Sequence, residues 1–289
     1  MAQAIPTTLL CGFLGSGKTT RINSLIRSGA LENALFLVND FGRINIDAAL
    51  IESREDNILR LDNGCACCGI SGNLSAQLRD IKRWSRRPTH LVFEASGIAR
   101  PRPLQQLFAA AQGYRLDESE TLVDASAFER HHRDAAISDL VIAQIQEVSR
   151  LRINRVNWLT DEQREHLLQR IAAINPAASW VLEEAEGPPP TEPATVGGSS
   201  GALVTESLPL PHPIDVEALN ALLAAAAPSL VRAKGLVRAN DRSGTRYVVQ
   251  FAGGRTTRVA TSAGRTQALV VIGHQSHELR SLLAALREL

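Results

Sequence analysis

Cysteine is scarce, neither sign of charge dominates, and no long apolar run occurs. Four cysteines in 289 residues, three of them between Cys65 and Cys68, cannot staple a chain of this size. They suit a reducing compartment and a metal or redox role. Thirty-one basic against 30 acidic residues create no basic field, so neither nucleic acid nor a membrane surface is expected as a partner. No apolar stretch reaches the roughly 18 residues that a membrane span needs. Met1–Pro6 is too short for the basic start and apolar core of a secretion signal. The expected location is the cytoplasm. Neither a repeat period nor a heptad seam is present, which argues against a solenoid or a coiled coil.

What is present is an ordinary globular composition, 44% hydrophobic and 21% charged, in a chain long enough for two domains. Residues 1–185 read as strands alternating with helices, the pattern of a parallel sheet flanked by helices. Strands are expected at Thr7–Cys11, Ala34–Val38, Ile58–Leu61, Leu91–Phe93, Thr121–Val123, Leu151–Ile153 and Trp180–Leu182. Lys18–Arg27 has helical spacing and stops at Gly29. Thr160 with Gln163 forms a capping box for a helix that reaches about Ile174 and ends at Asn175-Pro176. From 186 to 210 the chain turns to proline, glycine, serine and threonine with little to bury, and reads as a linker. Residues 211–289 read as a small α+β domain with helices at Val216–Ala226 and Glu278–Leu289.

Gly12-Phe13-Leu14-Gly15-Ser16-Gly17-Lys18-Thr19 fits G-x-x-x-x-G-K-[ST] and lies between a strand and a helix, the context that gives the motif meaning. Its glycines leave bare amides around a β-phosphate, Lys18 reaches β- and γ-oxygens, and the Thr19 hydroxyl suits Mg²⁺. Leu91-Val92-Phe93-Glu94-Ala95-Ser96-Gly97 is an apolar strand that ends in a carboxylate three residues before a glycine. Beside a phosphate loop, Glu94 can act on the Mg²⁺ shell or the attacking water, and the Gly97 amide can approach a γ-phosphate. Alone, such a glutamate would read as a solvated strand end or a helix cap.

Asn63-Gly64-Cys65-Ala66-Cys67-Cys68-Gly69 places three sulfurs in one turn among small residues. Soft ligands at this density suit Zn²⁺ or a related ion with one position left for a further ligand. Three packed thiols and a redox pair are the alternatives. Cys11, inside a strand, reads as a small core residue. His131-His132, His274 and His277 read as solvated residues rather than metal ligands.

Taken together, G-F-L-G-S-G-K-T, then N-D-F-G, G-C-A-C-C and E-A-S-G-I-A-R-P resemble the CobW-type GTPases over nearly the whole chain. The resemblance implies a cytoplasmic GTPase of the SIMIBI class, a P-loop NTPase domain followed by a CobW-like C-terminal domain, acting as a metallochaperone or as an activator of a metal-dependent enzyme. GTP/GDP with Mg²⁺ and Zn²⁺, or Co²⁺ or Fe²⁺, are the implied cofactors. A client metalloprotein or metal-cofactor enzyme is the implied partner, with a homo-oligomer as a further option. By the same resemblance Gly15, Gly17, Lys18, Thr19 and Thr20 hold phosphate and Mg²⁺. Asn39 and Asp40 form a first switch, Glu94 and Gly97 a second, and Cys65, Cys67 and Cys68 take metal.

The family reads its base with N-K-x-D, and here the corresponding residues are Asn154, Arg155, Val156 and Asn157. Replacing the aspartate by an amide removes a charge-assisted bond of about 1.5–3 kcal/mol, roughly 10- to 100-fold in affinity. An amide could instead donate to the 2-oxo group of xanthine. The expectation is a slow GTPase. Its alternative is a degenerate nucleotide-binding regulator with altered base specificity.

Overall fold

The computed structural model describes residues 3–29, 31–38, 58–60, 70–187, 203–241, 244–252, 254–261 and 267–289. In the first unit, β1 (Ile5–Cys11), β2 (Ala34–Val38), β3 (Ile58–Arg60), β4 (His90–Glu94), β5 (Tyr114–Asp124), β6 (Arg150–Asn154) and β7 (Ser179–Leu182) form one sheet in the order β3-β2-β4-β1-β5-β6-β7. Every neighbouring pair is parallel. The connections carry α1 (Lys18–Ser28), α2 (Ile70–Lys82), α3 (Pro101–Ala110), α4 (Ala125–Arg133), α5 (Ser138–Gln146) and α6 (Asp161–Ile174).

Central strands buried on both faces need continuous apolar runs, because successive side chains point to opposite sides. Leu9, Leu37, Leu91 and Phe93 join Leu74, Leu78, Leu104 and Phe108 in one core. Leu10, Phe36, Val92 and Leu122 enclose Ile22 in another. The capping box of α6 forms as expected: the Gln163 amide donates to Thr160 Oγ1 at 3.2 Å and Gln163 Oε1 accepts from the Thr160 amide at 3.0 Å.

β5 begins at Tyr114, well before the expected Thr121. Its first half carries Glu118 and Glu120, polar residues that give no apolar signal and are held laterally by ion pairs. Arg152 Nε and Nη2 donate to the two oxygens of buried Glu120 at 2.8 and 3.2 Å, and Arg152 Nη1 also pairs with Glu183. Arg21 on α1 lies 3.4 Å from the same Glu120, and Arg150 holds Glu118 at 2.6 Å.

In the second unit β8 (Leu203–Pro209), β9 (Leu230–Arg238), β10 (Arg246–Ala252), β11 (Arg255–Ala260) and β12 (Ala268–His274) form an antiparallel sheet in the order β11-β10-β9-β12-β8. α7 (Val216–Ala225) and α8 (His277–Glu288) bury Leu219, Leu223, Leu279, Leu282 and Leu286 in a core with Val237, Phe251 and Leu269. β8 corrects the sequence reading, since it falls inside the expected 186–210 linker. Its half-buried residues owe their order to pairing with β12, Leu208 opposite Leu269, and long-range pairing leaves no mark on local composition. His274 is likewise buried at the end of β12 rather than solvated.

Candidate functional site

The site is built on the carboxyl edge of the parallel sheet, where open α/β sheets receive ligands. β1 ends in Cys11, and the chain then turns through Gly12, Gly15 and Gly17 at φ 135°, 81° and 98° before α1 starts at Lys18. Only glycine adopts these angles without strain. A Cβ on Gly12 would also stand 2.5 Å from the Leu122 carbonyl oxygen and 2.6 Å from Ser16 Oγ. Gly17 caps α1 without a side-chain hydrogen bond, so the first-turn amides meet no capping side chain and present the positive end of the helix to an anion. Lys18 is buried, with Nζ donating to the Gly12 and Phe13 carbonyls at 2.7 and 3.2 Å. Thr19 is partly exposed and Thr20 exposed at the same helix start. Glycine angles, an uncapped helix start and a buried ammonium fit a nucleotide phosphate chain.

Glu94 is buried at the end of β4, in register with Leu10 of β1 on one side and with Val38 of β2 on the other. Beyond it, a Cβ on Gly97 would lie 2.5 Å from Leu14 Cδ2 and 2.9 Å from the Leu14 nitrogen, so this loop is packed directly on the phosphate loop. Gln144 holds it there. Its Nε2 donates to the Gly97 and Ala99 carbonyls at 3.1 and 2.9 Å. Sequence reasoning missed Gln144, although a polar residue buried in the apolar α5 is the signal that could have found it.

Register also aligns three strand ends. Arg60 of β3 pairs with Val38 of β2, and Val38 with Glu94 of β4. Adjacent strands lie about 4.8 Å apart, so the ends at Arg60, Val38 and Glu94 fall within about 10 Å across. Asn39, Asp40, Cys65, Cys67 and Cys68 themselves lie outside the described residues. Among the described residues no group of three or more His, Cys, Asp or Glu side chains could hold a metal ion.

At the end of β6, Asn154 Nδ2 donates to the Ser16 carbonyl at 2.7 Å, and Arg155 Nη1 reaches the Gly15 carbonyl at 3.3 Å while pairing with Asp124. The Arg155 guanidinium also lies 5.4 Å from the Trp158 ring centre. Asn154 and Arg155 are thus brought to the phosphate loop. Asn157 instead bonds to Ala185.

His131 corrects the solvated reading of the histidine pair. Positions 128, 131 and 132 share one face of α4, and the His131 ring packs edge-on against Phe13 with centroids 4.8 Å apart. Burial, then the charge of Arg130, pushes its pKa down to about 3. The unfolded chain therefore takes up a proton near pH 6.5 that the folded ring takes up only near 3, and the stability from neutral His131 is lost as pH falls through that window. His131→Leu is expected to flatten the stability-versus-pH curve between about pH 6.5 and 3 in urea titrations. An unchanged slope would contradict this. Cys11 is fully buried, and burial pushes its thiol up to about 12, so it is an unreactive core residue as expected.

Residues 6–182 match the family described as CobW/HypB/UreG, nucleotide-binding domain, and residues 204–288 match the cobalamin synthesis protein cobW C-terminal domain. The zinc chaperone YjiA of Escherichia coli K12 is 34% identical over 182 residues, 60% of this chain and 56% of that protein. A zinc chaperone CobW of a Sinorhizobium species is 32% identical over 132 residues, 43% of this chain and 37% of the relative. The zinc-regulated GTPase metalloprotein activator 1 of Dictyostelium discoideum is 25% identical over 214 residues, 61% of this chain and 45% of the relative. The chain thus spans between 37% and 56% of the length of these curated relatives. Among solved structures, Zn(II)-bound YjiA GTPase from E. coli aligns over 99% of this chain and 100% of that one, at 21% identity and a TM-score of 0.49.

Proposed function

This chain belongs to the CobW/HypB/UreG family, and from that premise we propose that it is a GTP-gated metal-binding protein that hydrolyses GTP slowly and serves a client metalloprotein or metal-cofactor enzyme in the cytoplasm. The observation that carries the reading is the register Arg60–Val38–Glu94. It brings the strands leading to Asp40, Cys65 and Gly97 side by side at the phosphate-loop edge, so a change at the γ-phosphate can reach the segment bearing the sulfurs.

Bound GTP with Mg²⁺ would supply the charge that these residues sense, with Lys18 on the phosphates and Thr19 and Asp40 as the residues that would hold the ion. Glu94 would orient the attacking water, and the Gly97 N–H would be available to the γ-phosphate. Cys65, Cys67 and Cys68 hold the cargo, zinc by the chemistry of the donors and the names of the relatives. Slow turnover fits the pairing of Arg21 and Arg155, two arginines near this edge, each with a carboxylate. A client or a second subunit can complete the site. Glu94→Gln is expected to cut phosphate release from GTP by at least about 100-fold while GTP still binds. Unchanged release would reject the role given to Glu94.

Asn157 favours a second reading, a regulator that binds nucleotide with altered base preference and turns over little. Steady turnover at ordinary GTP affinity would remove it.

A further inference from the structure

Asn157 is exposed, yet both ends of its amide are engaged. Nδ2 donates to the Ala185 carbonyl at 3.0 Å, and Oδ1 accepts from the Ala185 N–H at 2.8 Å. The two bonds close a ring between the side-chain amide and the backbone N–H and C=O of one residue. Just before it, the Glu183 N–H donates to the Ile153 carbonyl at 2.8 Å and the Val156 N–H to the Glu183 carbonyl at 3.3 Å. Just after it, Trp158 Nε1 donates to the Gly187 carbonyl at 3.2 Å. The Asn157 side chain thus prolongs the β6–β7 ladder past the point where backbone pairing stops, and anchors residues 183–187 beside Asn154 and Arg155.

That use of the amide bears on base recognition. The Watson–Crick edge of guanine offers two donors, N1–H and the 2-amino group, and reading both takes two acceptor oxygens with free lone pairs. Asparagine has a single oxygen, and one of its two lone pairs here accepts from Ala185, which leaves one acceptor position for two donors. One of its two N–H groups donates to Ala185, and the N–H and the lone pair that remain point away from each other on opposite flanks of the amide, so they cannot meet two adjacent groups of one base edge. Two carboxylates beside this segment are committed, Asp124 to Arg155 and to Ser126, and Glu183 to Arg152, which leaves the exposed Glu184 and Glu186 to be tested.

We infer that Asn157 is a positioning residue that clamps the 183–187 segment and does not read the base, so the site takes purine nucleoside triphosphates with little discrimination at the 2-position. The inference rests on the nucleotide-binding reading above. It narrows the sequence-based expectation of an altered base preference to near-indifference among guanine, hypoxanthine and xanthine.

Dissociation constants of GTP, ITP and XTP for the full chain and for Asn157→Ala, with amide hydrogen exchange at Ala185, test it. The wild type is expected to bind the three within about threefold, whereas a charge-assisted bond to the 2-substituent would separate them by roughly 10- to 100-fold. Asn157→Ala is expected to weaken all three by a common factor and to speed exchange at Ala185 by about tenfold or more, because the clamp holds that N–H. A wild-type preference for GTP over ITP above about tenfold overturns the inference. If that preference vanishes in Asn157→Ala, the asparagine is the reader; if it vanishes only in Glu184→Gln or Glu186→Gln, one of those exposed carboxylates is. Unchanged exchange at Ala185 overturns the clamp. Failure of all three nucleotides to bind, with the Ala185 N–H still protected through Asn157, rejects the nucleotide-binding reading and the specificity claim built on it, while the clamp stands.

Discussion

Lys18→Ala is expected to weaken GTP binding by at least about 100-fold while the protein remains folded. The ammonium is buried at the mouth of the glycine turn, fixed by the Gly12 and Phe13 carbonyls 2.7 and 3.2 Å away. Its charge therefore acts on phosphate in a site with little screening water. Two charged hydrogen bonds of about 1.5–3 kcal/mol each amount to roughly 100- to 10,000-fold in affinity. The folded state gives up the bonds to the Gly12 and Phe13 carbonyls, about 1.5–3 kcal/mol each for a charged donor, but is also relieved of the cost of burying an ammonium. Calorimetric titration of GTP into wild type and variant, with melting curves of each, makes the comparison. Binding within about threefold of wild type would mean that the turn is not a phosphate cradle.

The largest stability effect is expected at Arg152. Its guanidinium spans Glu120 and Glu183, and its side chain and that of Glu120 are only 8% and 3% exposed. Removing one partner of such a buried pair costs about 3–5 kcal/mol, because the other charge is left in a medium that cannot solvate it. Arg152→Ala should therefore lower the melting temperature by on the order of 10 °C. Arg21, 3.4 Å from Glu120, softens the loss without replacing the bidentate geometry. The double variant Glu120→Leu/Arg152→Leu should recover part of it, since neither buried charge is then left facing a missing partner and the groups that lose one, Arg21 and Glu183, are 23% and 38% exposed. A single variant as stable as wild type would show that the network is not a folding determinant.

The phosphate half of the candidate site was legible because its chemistry is local. A glycine turn needs its glycines in sequence, the buried strand before it must be apolar, and the helix after it must start at Lys18. The capping box of α6 was legible for the same reason. What stayed hidden depends on partners distant in sequence. β5 looked short because Glu118 and Glu120 owe their place to Arg150 and Arg152. β8 looked like linker because its partner β12 lies far along the chain. The environment of His131 needed Phe13 to cross from the phosphate loop, and the role of Asn157 needed Ala185 to arrive from beyond β7. Asn157 makes the point most clearly. A departure from a motif tells which bond to the ligand is missing, whereas only the fold tells what the substituted side chain holds instead.

Linkage between the two ligands is the most direct test of the account. Zinc affinity of the purified chain should be measured against a chromophoric chelator with and without GTP, and GTP affinity with and without zinc, in wild type and in Cys67→Ser. A gated carrier must show the same factor in both directions, about 5-fold or more for a coupling of about 1 kcal/mol, and must lose it in Cys67→Ser. Zinc binding that is indifferent both to GTP and to Cys67→Ser would contradict the gating of a cysteine metal site.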